Sequence, residues 1–82
     1  MEQLTRTPYA LGAALRRVRK LKGMTQKQLS EKTDLRQATI SDMESATNGI
    51  RIDTLMTVLA AFNLEIVVRD RSSFELQIED IF

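Results

Sequence analysis

The strongest constraint on the fold is a helix-start signal formed by Thr25 and Gln28. Threonine is a favoured N-cap residue, and a glutamine three residues later completes a capping box. Met24 and Leu29 occupy the N′ and N4 positions, where two apolar side chains pack across the start of a helix. We therefore predict a helix over residues 26–32.

A second short helix is predicted over residues 36–44, after a turn of three residues. Leu35, Ile40 and Met43 fall on the face that would turn inward. Two short helices joined by such a turn are a helix-turn-helix unit. The polar side chains of the second helix are then left on the outward face.

Two further helices flank this unit. Pro8 suits the first turn of a helix, and Gly23 suits its end. Between them the apolar residues repeat at helical spacing; they are Leu11, Ala14, Leu15, Val18 and Leu21. A fourth helix is predicted over residues 52–62, with Asn63 ending it in the left-handed conformation. The fold class we predict is all-α, with four main helices and a C-terminal strand.

That strand is predicted over residues 64–69, which are rich in β-branched side chains. A lone strand leaves its backbone groups unpaired, so it needs a partner. One candidate is the same strand of a second subunit, which would form an intersubunit two-stranded ribbon through Ile66, Val67 and Val68. The other is the alternating segment 74–78 of the same chain. The length of 82 residues favours the ribbon, because so small a domain gains stability from a second subunit.

Charge is divided unevenly along the chain. Residues 1–36 hold nine Lys and Arg against three acidic residues, a net +6, whereas residues 37–82 hold three against eight, a net −5. A basic half joined to an acidic half is typical of a protein with a polyanionic partner and a second, different partner. A solvated mixed surface would give the same count.

Several classes of function are disfavoured by composition. Cysteine and histidine are absent from the sequence, which excludes a disulfide framework and a Cys/His metal site. There is no Gly-rich phosphate loop, so we expect no enzyme, no cofactor, no metal and no small-molecule ligand. No apolar run approaches 18 residues, and residues 1–8 lack the pattern of a signal peptide. We expect a cytoplasmic protein without a membrane partner.

The outward face of the predicted helix 36–44 carries side chains that read DNA bases. Arginine can bond the O6/N7 edge of guanine, and glutamine the N6/N7 edge of adenine. Alanine can contact a thymine methyl group, and serine can donate or accept a hydrogen bond. The candidate base-reading residues are Arg36, Gln37, Ala38 and Ser41. We therefore predict recognition of DNA through the major groove.

Residues 25–44, with the pieces TQKQL, QATIS and ME, resemble the helix-turn-helix signature of the phage-repressor family (Cro/C1, or XRE). With the flanking helices the resemblance covers residues 9–63 and implies a lambda-repressor-like fold. It implies that a set of residues binds DNA phosphates, namely Gln26, Lys27, Thr39 and Arg51. Arg19 and Glu44 match two family positions that pair with each other, which implies a structural ion pair.

The sequence departs from the family pattern at two positions. The turn usually contains glycine, where this chain has Asp34, and aspartate accepts the left-handed conformation at some cost. The second helix of the unit usually begins with Ser or Thr, where this chain has Arg36. Arginine cannot cap a helix N-terminus, so we expect some stability to be given up for a cation that faces DNA.

The stretch from Leu55 to Asp70, a helix that leads into LEIVVR, is similar to the HipB-like antitoxins of bacterial Hip-type toxin–antitoxin operons. Residues 36–41 also resemble the recognition helix of that group. The resemblance implies a homodimer that binds palindromic double-stranded operator DNA, represses its own operon and holds a HipA-like serine/threonine kinase toxin. Two alternatives stay open: an orphan regulator without a toxin, and a protein-interaction module that has lost DNA binding.

We divide the chain into a flexible N-terminus at residues 1–7, a DNA-binding and dimerisation domain at 8–70, and an acidic, apolar tail at 71–82. The tail can anchor a protein partner in a groove or pack against its own dimer. The Hip resemblance makes the toxin the natural partner. The candidate anchor residues are Phe74, Ile78, Ile81 and Phe82.

Overall fold

The computed structural model describes residues 2–71. Within this part the chain forms four α-helices: α1 (Pro8–Leu21), α2 (Gln26–Thr33), α3 (Gln37–Ser45) and α4 (Ile52–Ala61). The predicted all-α core of four helices is confirmed. The predicted bounds of α2, α3 and α4 agree with the structure to within one residue.

The first two helices begin at side-chain caps. At the start of α1, the Thr7 hydroxyl accepts a hydrogen bond from the Ala10 backbone N–H at 3.0 Å, and Pro8 follows Thr7 directly. At the start of α2, the Gln28 N–H donates to the Thr25 hydroxyl at 3.0 Å, and the Thr25 N–H donates to the Gln28 side-chain oxygen at 2.8 Å. The predicted capping box is therefore present in full.

The ends of the helices use left-handed residues. Gly23 follows α1 with φ of 70°, and Asp34 ends α2 with φ of 58°. Ala46 ends α3 with φ of 53°, and Asn63 follows α4 with φ of 57°. The left-handed conformation expected at Asp34 and Asn63 is confirmed. Ala46 was not predicted, since alanine has no side-chain preference for this region.

The core lies where all four helices meet. Its buried members are apolar, and two further predicted core residues, Leu11 and Leu35, are partly buried and pack against them. The buried set is Leu15, Val18, Leu29, Ile40, Met43, Leu55, Val58, Leu59 and Phe62. Leu29 and Ile40 lie in this one core, so the core fixes the helix-turn-helix unit to α1 and α4.

At Gly12, α1 lies directly against the backbone of α3. A Cβ at this position would stand 2.5 Å from the Met43 carbonyl oxygen and 2.7 Å from that of Glu44. Only glycine allows the two backbones to lie this close.

The predicted apolar stripe of α1 is wrong at its C-terminal end, because Leu21 is the last residue of the helix and is 78% exposed. The last buried positions of α1 are Val18 and Arg19.

Residues 64–71 belong to no helix and no strand pair in the described part of the chain, where the only β-bridge joins Thr47 and Gly49. Ile66, Val67 and Val68 are exposed, and Val68 is 95% exposed. A ladder needs a second strand, and a single chain does not supply the one that the ribbon requires. The intersubunit ribbon stays a prediction, and the alternative partner segment 74–78 lies outside the described residues.

The N-terminal segment contacts both α1 and the stretch after α4. The Gln3 side-chain oxygen accepts two hydrogen bonds from the guanidinium of Arg17 on α1, at 3.0 and 2.6 Å. Glu2 lies 3.9 Å from Arg69 in the stretch after α4. A groove of about 760 Å³ is lined by residues 2–6, residues 63–71 and core side chains of α1 and α4. Residues 2–71 contain no helix long and apolar enough to cross a membrane.

Candidate nucleic-acid interface

The turn between α2 and α3 is held by hydrogen bonds and by burial. The Ser30 hydroxyl donates to the Leu35 carbonyl oxygen, and the Thr33 hydroxyl donates to the Leu29 carbonyl oxygen at 2.7 Å. Leu29 on α2 and Ile40 on α3 have no exposed surface. Each helix is therefore anchored on its inward side, which leaves the outward face of α3 in a fixed orientation.

The outward face of α3 carries the predicted base-reading residues. Arg36, Gln37, Ala38 and Ser41 are all exposed. Within residues 2–71 the side chains of Arg36, Gln37 and Ser41 make no hydrogen bond to the protein. Arg36 stands at the N-cap position with extended backbone angles, and its side chain makes no cap. The hydrogen-bond donors and acceptors on this face are thus available to a ligand. A single helix such as α3 is narrow enough to enter the major groove of DNA.

Behind this face lies a buried ion pair. The Arg19 Nε lies 2.6 Å from Glu44 Oε2, and its Nη2 donates to Glu44 Oε1 at 3.0 Å. Both residues are only 7% exposed, and the third Arg19 nitrogen, Nη1, donates to the Met24 carbonyl oxygen at 2.8 Å. The structure therefore contains the predicted Arg19–Glu44 pair, with the two-point geometry that suits a guanidinium and a carboxylate.

Gln26 is the first residue of α2, and its side chain contacts the same ion pair. Its amide nitrogen donates to Glu44 Oε1 at 3.1 Å, and the residue is half-buried. Sequence reasoning placed Gln26 on a DNA phosphate and missed this contact. No local pattern could have shown it, because Gln26 and Glu44 lie on different helices.

Lys27, Thr39 and Arg51 are the other predicted phosphate ligands. Lys27 is exposed on the first turn of α2, and Thr39 is half-buried on α3. Arg51 is 82% exposed in its side chain and forms a two-point pair with Asp53, with Nε–Oδ1 and Nη2–Oδ2 distances of 3.1 Å.

Asp53 was missed by sequence reasoning, although an acidic residue in the first turn of a helix is a common signal. The hydrogen bond from Arg51 lowers the pKa of the Asp53 carboxyl, with help from the Thr54 N–H, which donates to Asp53 Oδ1 at 2.8 Å. The same pairing raises the pKa of Arg51. The predicted phosphate ligand Arg51 is therefore held by a carboxylate in the first turn of α4, the helix that it precedes.

The remaining predicted residues fall in two groups. Ile66, Val67 and Val68 lie exposed on the stretch that follows α4. The candidate anchor residues Phe74, Ile78, Ile81 and Phe82 lie outside the described residues. Residues 2–71 contain no cluster of acidic side chains that could hold a metal ion.

The four-helix core and the exposed face of α3 define a helix-turn-helix DNA-binding protein. Residues 15–68 match the helix-turn-helix family model HTH_3. Antitoxin HipB of Escherichia coli strain K12 is 31% identical over 64 residues, which cover 78% of this chain and 73% of the relative. The chain therefore belongs to the helix-turn-helix family that contains the HipB antitoxins.

Solved structures of HipB agree with this membership. A chain of a HipB–O4 20mer complex superposes with a TM-score of 0.79 at 30% identity, covering 87% of this chain and all of that one. A chain of a HipA–HipB–O2–O3 complex superposes with a TM-score of 0.78 at 30% identity and the same coverage. The likeness thus extends over most of this chain.

Proposed function

We propose that this protein is the antitoxin and autorepressor of a Hip-type toxin–antitoxin operon. The observation that carries the proposal is the exposed, unengaged face of α3, held rigidly by the core. The likeness to HipB chains solved in complexes named for HipA and for O2, O3 and O4 supports the same assignment. The role is regulatory, in a bacterial cytoplasm.

DNA binding is proposed to use two copies of α3. Pairing of residues 64–69 across a two-fold axis would place the recognition helices about 34 Å apart, one turn of the duplex. A protein with that symmetry reads a palindromic operator. Arg36, Gln37, Ala38 and Ser41 would face the bases in each half-site.

Phosphate contacts are proposed to fix the register of α3 in the groove. Gln26 and Lys27 begin α2, where unsatisfied backbone N–H groups and the helix dipole favour an anion. Thr39 and Arg51 would contact further phosphates of the DNA backbone. Contacts of the cations Lys27 and Arg51 release counterions, so affinity should fall steeply with salt.

The second partner is proposed to be a HipA-like kinase toxin. The acidic, apolar segment 72–82, which includes Phe74, Ile78, Ile81 and Phe82, would be its anchor. The charge division between the two halves of the chain suits one polyanionic partner and one protein partner.

A pull-down of the tagged protein from its own cells, with and without residues 72–82, tests the proposal. Mass spectrometry should find a HipA-like kinase with the full chain and lose it with the shortened one. A kinase that persists without the tail would place the toxin on the helical body. DNA without any protein partner would identify an orphan repressor instead.

A further inference from the structure

The carboxylate of Glu44 is shared by two helices other than its own. It accepts two hydrogen bonds from Arg19 on α1 and one from the amide nitrogen of Gln26 on α2. An ionised carboxylate can only accept hydrogen bonds, so the nitrogen end of the Gln26 amide has to face it. The contact therefore sets which way round the amide lies.

The side-chain amide nitrogen of Gln26 carries two N–H groups, and Glu44 takes one of them. The second points away from the first in the plane of the amide. Gln26 is the first residue of α2 and is partly exposed, and within residues 2–71 its amide makes no second hydrogen bond. The second N–H is therefore available to an anion at the start of α2, where a phosphate is proposed to bind.

A bare carboxylate behind a phosphate site would repel the phosphate. Here the charge of Glu44 is paired with the Arg19 guanidinium at two points, with Nε–Oε2 and Nη2–Oε1 distances of 2.6 and 3.0 Å. Arg19 is fixed in turn by its bond to the Met24 carbonyl oxygen, one residue before the cap of α2. The pair offers a rigid acceptor to Gln26 with its charge neutralised.

We propose that Glu44 is a positioning residue for DNA binding: through the Gln26 amide it orients the donor that binds a phosphate. The buried pair then links the C-terminal turn of the base-reading helix to the phosphate contact that sets its register. This inference rests on the proposed phosphate role of Gln26.

A double-mutant cycle on operator DNA tests it. The variants are Gln26→Ala, Glu44→Gln and the two together, with Glu31→Gln as a control that makes the same change in net charge on the exposed side of α2. Dissociation constants are measured by fluorescence anisotropy at one salt concentration and at a temperature where circular dichroism shows every variant folded.

Loss of Gln26 should weaken binding by about tenfold or more, the usual effect of losing a hydrogen bond to a charged group. Glu44→Gln should weaken binding clearly relative to Glu31→Gln when Gln26 is present, and by less than about twofold when Gln26→Ala is present, because groups in one network do not add. Additive effects would overturn the inference and leave the repressor function intact.

Other outcomes separate the two proposals. Operator binding by Gln26→Ala as tight as that of the original chain would remove the phosphate role and the positioning inference with it. Failure of the original chain to bind any duplex would overturn the proposed function itself.

A second variant and a second measurement cover a folding defect. Glu44→Asp keeps the charge for Arg19 but shortens the reach toward Gln26, and it replaces Glu44→Gln in the cycle if that chain does not fold. In the original chain, NMR should show the two Gln26 side-chain amide protons widely separated and slow to exchange. Values equal to those of a solvated glutamine would overturn the inference.

Discussion

At the residue scale, tertiary packing requires glycine at Gly12, although helix propensity disfavours glycine within a helix. Glycine within a helix costs about 1 kcal/mol relative to alanine. Here the backbone of α3 lies so close that a Cβ would meet two carbonyl oxygens at 2.5 and 2.7 Å. The requirement arises on another helix, so the local sequence does not signal it.

Replacing Gly12 by alanine should lower the free energy of unfolding by about 1–3 kcal/mol, the usual cost of overpacking a tight contact. Urea denaturation followed by circular dichroism measures the change. Gly23→Ala is the matched control: its Cβ would meet no atom within 4 Å, so only the cost of φ at 70° applies. Without the close crossing, alanine at Gly12 should instead stabilise the helix, so an unchanged or higher free energy of unfolding in Gly12→Ala would contradict it.

The candidate site was predictable where helical spacing or the family resemblance indicated a residue's role. The outward position of Gln37 and Ser41 follows from helical spacing, and the Arg19–Glu44 pair follows from the family resemblance. The Gln26–Glu44 and Arg51–Asp53 contacts did not follow from either.

On the proposed phosphate contact of Arg51, Asp53 would compete with DNA for the guanidinium. In Asp53→Asn the guanidinium is released and a negative charge is removed, so operator affinity at low salt should rise by up to about fivefold, the range of an exposed ion pair. The gain should shrink as salt rises. Anisotropy titrations would compare it with Glu31→Gln; binding no tighter than that control would show that Arg51 does not contact DNA.

The pH dependence of this pair follows from the pKa of Asp53, which lies below that of an ordinary carboxyl group. A group whose pKa is lowered on folding stabilises the fold above its unfolded pKa, and that stability is lost as pH falls through the folded pKa. The Arg51–Asp53 pair therefore persists between about pH 5 and 8. The affinity gain in Asp53→Asn should be constant across that window.

At the element scale, the helices were predictable because the residues that start and end them are neighbours in the sequence. The capping box of Thr25 and Gln28 fixes the start of α2, and Asp34 and Asn63 take the left-handed angles that short polar side chains allow. The strand is a different kind of element, because its hydrogen bonds depend on a partner that the chain alone does not supply.

At the start of α3 we expect a trade-off between the stability of the fold and the affinity for DNA. Arg36→Ser adds the missing N-cap, so the free energy of unfolding should rise by about 1 kcal/mol. The same change removes a cation from the base-reading face, so operator affinity should fall.

Arg36→Ala separates the two effects, since it removes the cation and adds no cap. Thermal unfolding and anisotropy titrations on both variants are the measurements. We expect both to lose affinity and only Arg36→Ser to gain stability. Unchanged affinity in both would show that Arg36 does not face DNA.

At the scale of the whole molecule, the account depends on pairing of residues 64–69 between two subunits. Ile66, Val67 and Val68 are apolar, β-branched and exposed to solvent in the single chain. Pairing with a second copy would cover apolar surface and satisfy the backbone groups of this stretch.

Val67→Pro and Val68→Pro form an internally controlled pair. Successive N–H groups of a strand point to opposite edges, so only one of the two faces the partner strand. That variant alone should weaken dimerisation by about tenfold or more, through lost ladder hydrogen bonds. Sedimentation equilibrium measures the change. Two dimeric variants, or a monomeric original chain, would contradict the ribbon.

The central claim is that a symmetric dimer reads DNA bases with α3, and binding-site selection from random duplexes tests it most directly. The original chain should enrich a palindrome whose half-sites lie one helical turn apart, about 10 base pairs. Gln37→Ala should relax the preference at one symmetry-related position and leave the spacing unchanged. Enrichment of sites without symmetry, or a Gln37→Ala preference identical to the original, would contradict the account.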